Sequence, residues 1–134
     1  MAGSTHPEVS EGLQLLKSAS YAIGVAPDPV GAGGVQFQND GARFLDVIID
    51  ITDKGAAGTV TVEVDAQDPA SKKWYQLLTS ATYAANGTNL LHLGVGLTPA
   101  ANVTAAVPLP KILRVVPTVA VNAVTFSVGV NLCP

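Results

Sequence analysis

Residues 42–66, ARFLDVIIDITDKGAAGTVTVEVDA, decide the fold class. In the first half Leu45, Val47, Ile49 and Ile51 fall on every second residue, with Asp46, Asp50 and Thr52 on the alternate positions. In the second half Val60, Val62 and Val64 alternate with Thr59, Thr61, Glu63 and Asp65. Successive side chains of a strand point to opposite faces, so this period of two predicts two strands, each with one buried face. DKGAAG (53–58) supplies the turn between them. Phe44 and Ile48 interrupt the polar side of the first strand, which predicts partial cover there as well.

The same pattern extends outward. GVQFQ (34–38), KWYQLLTS (73–80), TNLLHLGV (88–95), KILRVVPTV (111–119) and AVTFSVGVNL (123–132) read as strands. QDPASK (67–72), a proline- and alanine-rich loop running to Pro110, and the tight connection VAVN (119–122) separate them. Pro117 has no N–H to give a central ladder, so its strand is expected at a sheet edge or to stop there. LQLLKSASYAIGV (13–25) is ambiguous: Leu13, Leu15 and Leu16 could open a helix, whereas Tyr21, Ile23 and Val25 alternate as in a strand. APDPVGAGG (26–34) is a loop, and with neither a Lys-Ser/Thr nor a helix after it, it lacks the phosphate-cradle pattern. About seven to nine short strands with turns every 8–12 residues, roughly, predict an all-β, single-domain antiparallel β-sandwich, jelly-roll or Ig-like. Residues 1–12, small and unpatterned, read as an extended N-terminal arm that orders on assembly against a neighbouring subunit, and 13–134 as the domain.

Composition narrows the function. The chain has 134 residues, 48% of them hydrophobic, with a net charge of −3. Its mean hydropathy is +0.36, but no apolar run approaches the ~20 residues of a membrane helix. No basic-then-apolar secretory leader is visible at the start, so the two N-x-[ST] sequons, at Asn86 and Asn102, read as chance matches in loops. Only 13% of residues are charged, against about 25% in an ordinary soluble domain. All ten acids lie between Glu8 and Asp68, and from Trp74 onward only Lys111 and Arg114 carry charge. Residues 1–68, with ten acids and three bases, sum to −7, whereas 69–134, with four bases, sum to +4. Seven scattered bases do not make a nucleic-acid surface, so neither nucleic acid nor membrane is an expected partner. A half so poor in charge is expected to be covered by other subunits, the chain working as a homo-oligomer.

Candidate chemistry is thin. Glu63, Asp65 and Asp68, with Asp46, Asp50 and Asp53, invite a calcium reading, but the D-x-[DN]-x-[DN]-G loop is missing. They read instead as solvated strand acids and, at Asp68-Pro69, a turn in which the carboxylate bonds the backbone ahead of it. His6 lies in the arm; His92 lies between Leu91 and Leu93 and reads as a strand residue with a hydrogen-bond partner or partial exposure. Cys133, the only cysteine, excludes an internal disulfide, and no nucleophile elbow or zinc motif occurs. No catalytic, metal or cofactor residue is therefore assigned, and the chain is read as a non-enzyme. Tyr21, Trp74, Tyr75 and Tyr83 could stack a sugar ring, yet Trp74 after a hairpin reads better as a plug at the end of the core. Whether Trp74 and Tyr75 are exposed decides between those readings.

The run ARFLDVIIDITDKGAAGTVTVEVDAQDPASKKWYQLLTSA, followed by the closing strand AVTFSVGVNL, resembles small β-sandwich virion proteins of tailed bacteriophages, especially those of actinobacterial phages. The likeness spans roughly residues 42–132 and lies in valine–acid alternation, an Asp-Pro turn and a W-x-x-L strand. Lys72-Lys73 stand where many such proteins have glycine before the tryptophan, so the turn is expected to be longer. The resemblance implies a decoration protein on the capsid exterior, made in the host cytoplasm, with the major capsid protein as partner and a trimer as the common assembly. A tail component is the second implication. It assigns no binding residue.

Overall fold

The structure, a computed structural model, describes residues 11–26 and 34–134. They form ten strands: β1 (Glu11–Tyr21), β2 (Gly24–Val25), β3 (Val35–Gln38), β4 (Phe44–Asp53), β5 (Thr59–Gln67), β6 (Trp74–Thr79), β7 (Gly87–Gly94), β8 (Thr104–Ala105), β9 (Ile112–Ala120) and β10 (Val124–Cys133). Sheet A has the order β1-β10-β4-β7-β8, and sheet B the order β2-β9-β5-β6, with β3 also on β9. All pairings are antiparallel except β7 with β8. The two sheets pack into the expected β-sandwich. No described helix is long and apolar enough to cross a membrane.

The alternation read from 42–66 is the core. Leu45, Val47, Ile49 and Ile51 on β4, and Val60, Val62 and Val64 on β5, are at most 2% exposed. They share one core cluster with Leu91, Leu93, Leu113, Phe126 and Leu132, contributed by both sheets and all buried. Burying each such side chain contributes roughly 1.5–3 kcal/mol. The ring of Tyr21 lies 5.0 Å from that of Phe126, tilted by 54°, and closes the core at one end. Strand register places Trp74, Phe44 and Ile112 at the opposite end. We call these the Tyr21 pole and the Trp74 pole.

Several expectations change. The ambiguous 13–25 segment is strand rather than helix: β1 runs from Glu11 to Tyr21, with register shifts either side of Leu16 that leave Leu16 buried. Bulges of this kind bend an edge strand and re-aim its side chains. Glu11 pairs with Leu132 and Gly12 with Asn131, so the domain begins inside the segment read as an arm; residues 1–10 lie outside the described residues. Ile23 and Val25, which alternate with Tyr21 as in a strand, are 64% and 41% exposed.

Pro117 sits in neither an edge strand nor a strand end. β9 continues to Ala120, with β5 on one side and β2 and β3 on the other. The Pro117 carbonyl accepts from the N–H of Ala26 at 2.8 Å. In a strand the N and O of one residue point to the same side, so the proline nitrogen faces the place where pairing passes from β3 to β2. There, among the described residues, a missing donor interrupts no continuous ladder. Gly34, with φ +90°, enters β3 so close to β9 that a Cβ would stand 2.2 Å from the Val115 carbonyl oxygen, which only glycine permits.

The VAVN connection is a corner between sheets, not a hairpin within one, since β9 belongs to sheet B and β10 to sheet A. Val121 takes φ 73° there and is 62% exposed. A β-branched residue in the left-handed region is strained. Val121→Asn, which suits that conformation, is expected to raise the unfolding free energy by about 1 kcal/mol in urea titrations.

Candidate functional site

The outer face of sheet B gathers the polar side chains with the most unusual surroundings. Glu63 and Asp65 both point outward from β5, two residues apart. Across from Asp65 stand Arg114 on β9 and Gln76 on β6. Asp65 is not the solvated acid the alternation suggested: it is 1% exposed. A register shift between Val64 and Asp65 where β5 meets β6 lets neighbouring side chains close over it. Arg114 Nε donates to Asp65 Oδ2 at 2.8 Å, and the guanidinium carbon lies 4.4 Å from the centroid of the Trp74 ring. Trp74 is accordingly half-buried on the outer face, stacked with arginine, and does not plug the core. Its pairing with Gln67, an outward residue of β5, puts it there.

The electrostatics of this cluster are uneven. Asp65 Oδ1 is buried and has no hydrogen-bond donor among the described residues. The hydrogen bond that a protonated Glu63 can give Asp65, followed by burial and the repulsion of the Asp65 charge, pushes the Glu63 carboxyl from 4.5 up to about 7, with Arg114 opposing the rise. At the end of the same strand Asp68 behaves as the sequence suggested. Its carboxylate accepts from Ser71 Oγ at 2.7 Å and the Ala70 N–H at 3.0 Å. Those bonds, the Ser71 hydroxyl first, hold its pKa below the usual value. The turn runs on through Lys72, whose φ is 64°, before Lys73 closes it on Asp68.

The outer face of sheet A is plainer. Asp46 and His92 are cross-strand partners, with His92 Nδ1 2.7 Å from Asp46 Oδ1, both more than a third exposed. Thr88 donates to Asp50 at 3.2 Å. Between β1 and β4 an open trough of about 480 Å³ runs over Ser127 and Gly129 of β10, with Gln14 and Ile48 on its sides. No group of three or more His, Cys, Asp or Glu that could hold a metal occurs among the described residues. The sequons have structural work: Asn86 accepts from the Lys54 N–H, and Asn102 donates to the Thr79 carbonyl at the end of β6 at 3.0 Å.

Exposed apolar side chains collect at the poles. Ile23, Val25 and Val121 stand out at the Tyr21 pole, where β2 lies along the end of β9. At the Trp74 pole Val95 is 61% exposed beside a recess of about 320 Å³ walled by Ala42, Phe44, Pro108 and Leu109, with Arg43 at its rim. Leu90 and Val103 add to the exposed set. The acid-rich and acid-free halves do not form separate faces, because strands from each enter both sheets. Sequence reasoning missed the Asp65–Arg114–Trp74 stack, since the bulge that creates it leaves no mark on the alternation. Compared with known families, curated proteins and solved structures, the chain matches no family model, no curated protein and no solved structure.

Proposed function

We propose that the chain is a non-enzymatic structural protein of a tailed-bacteriophage virion, which assembles with copies of itself and binds the capsid exterior. It would cement neighbouring capsomers by contact with the major capsid protein. The observation that carries this reading is the exposed aliphatic surface at both poles of a chain with only two charged side chains after Lys73. Apolar side chains left in water favour burial against a partner. The second reading, a tail component, draws on the same surface: apolar patches on opposite poles suit head-to-tail contact, which closes into rings or extends as tubes. A sugar platform draws less support, because Arg114 occupies one face of Trp74 and leaves Tyr75 as the exposed ring of the pair.

Light scattering of the purified chain, followed by mixing with undecorated capsids, tests the proposal. Oligomers that bind the capsids are the expected result, and the Val121→Asn variant is expected to fold more stably yet assemble less. A persistent monomer that ignores capsids and binds oligosaccharide would overturn the reading.

A further inference from the structure

The carboxyl pair on sheet B has an incomplete hydrogen-bond inventory. Asp65 Oδ2 is satisfied by Arg114, whereas Oδ1 is buried without a donor. Two ionised carboxylates have no hydrogen to share, but a protonated carboxyl has one O–H to give. We propose that Glu63 and Asp65 hold one proton between them in the folded protein, forming a pH-sensitive latch beneath the Arg114–Trp74 stack. With the proton on Glu63, its O–H donates to Asp65 Oδ1 and the buried oxygen is satisfied. When the proton passes to solvent, Oδ1 is left bare and two negative charges face each other. The freed Glu63 carboxylate then competes with Asp65 for the one guanidinium in the cluster.

The surroundings allow little else to titrate with it. Glu63 lies opposite Thr79 on β6 and Val116 on β9, and Asp65 opposite Gln76 and Arg114. Asp65 on its own strand and Arg114 on β9 are thus the charged groups beside Glu63, and both act on its ionisation. The raised Glu63 value agrees with the geometry. The folded chain keeps a proton that the unfolded chain begins to lose near 4.5, so the contribution is complete below 4.5 and declines until about 7. Asp68 acts in the opposite direction, and only as pH falls through and below 3.8. The two windows do not overlap.

The test compares the wild-type chain with Glu63→Gln, whose amide N–H can donate to Asp65 Oδ1 at every pH. Trp74, the only tryptophan in the chain, reports on the arginine above it by its fluorescence, and urea titrations from pH 4 to 9 report stability. The wild-type emission is expected to titrate near 7, and Glu63→Gln to abolish that step. At pH 8 the variant's folded-to-unfolded ratio should exceed the wild type's by about tenfold, a figure discounted for the partial exposure of Glu63. A variant that keeps the wild-type pH profile would assign the titration to another group and overturn the latch. Should the variant not fold, the Glu63 carboxyl carbon of the wild-type chain can be followed by NMR. Titration near 7 supports the shared proton, and titration near 4.5 refutes it.

Discussion

Arg114→Ala is expected to lower the unfolding free energy by about 3 kcal/mol. The loss comes less from the attraction removed than from the charge left behind. Asp65 is 1% exposed, its Oδ1 has no donor apart from a proton on Glu63, and without Arg114 its Oδ2 would lose the one it has. An ionised carboxylate stranded in such a place is costly unless it takes up a proton. Removing both partners should therefore cost less than removing the arginine alone. Urea titrations of Arg114→Ala, Asp65→Ala and the double variant measure this. A double variant as unstable as the sum of the two singles would mean that the pair does not act as a unit. Trp74 would lose its stacking partner at the same time, and its emission should shift in parallel.

Phe126→Ala is expected to cost about 3–5 kcal/mol, the range for emptying a buried aromatic site. Phe126 is fully buried, lies on β10 between β1 and β4 of sheet A, and carries the ring of Tyr21 at 5.0 Å. Its loss opens a cavity and removes the surface on which Tyr21 closes the Tyr21 pole. Since whole domains are stable by only about 5–15 kcal/mol, the variant should stand close to unfolding at ambient temperature. Calorimetry or urea titration settles the size, and a loss under about 1 kcal/mol would mean that the neighbours collapse into the space.

The core was legible because burial on one face imposes a period of two, and Leu45 to Ile51 and Val60 to Val64 obey it without interruption. The turn at Asp68 was legible because Asp-Pro has one local use, and the structure employs it. What the pattern concealed depends on partners distant in sequence. Asp65 alternates outward like its neighbours, and nothing near it announces that Arg114, 49 residues away, will cover it. Pro117 reads as an edge signal because propensity carries no knowledge that β9 is flanked by two short strands with a break between them. β2 and β8, two residues each, are too short to show any period. The uneven spread of charge along the chain was visible, but its spatial meaning was not, because the topology mixes the two halves.

That topology also sets an order of events. β10, the last strand in sequence, lies between β1 and β4 in sheet A, and it alone joins the first strand to the rest of the sheet. During synthesis β1 and one edge of β4 must wait, unpaired, until β10 has left the ribosome. Of the long strands, only β5 and β6 are both consecutive and paired as a hairpin, so early local structure is confined to sheet B. Folding of the whole should be late and slow, as for other chains dominated by distant pairings. Meanwhile the exposed strand edges are open to other nascent copies, so crowded expression should favour misassembly over misfolding of single chains.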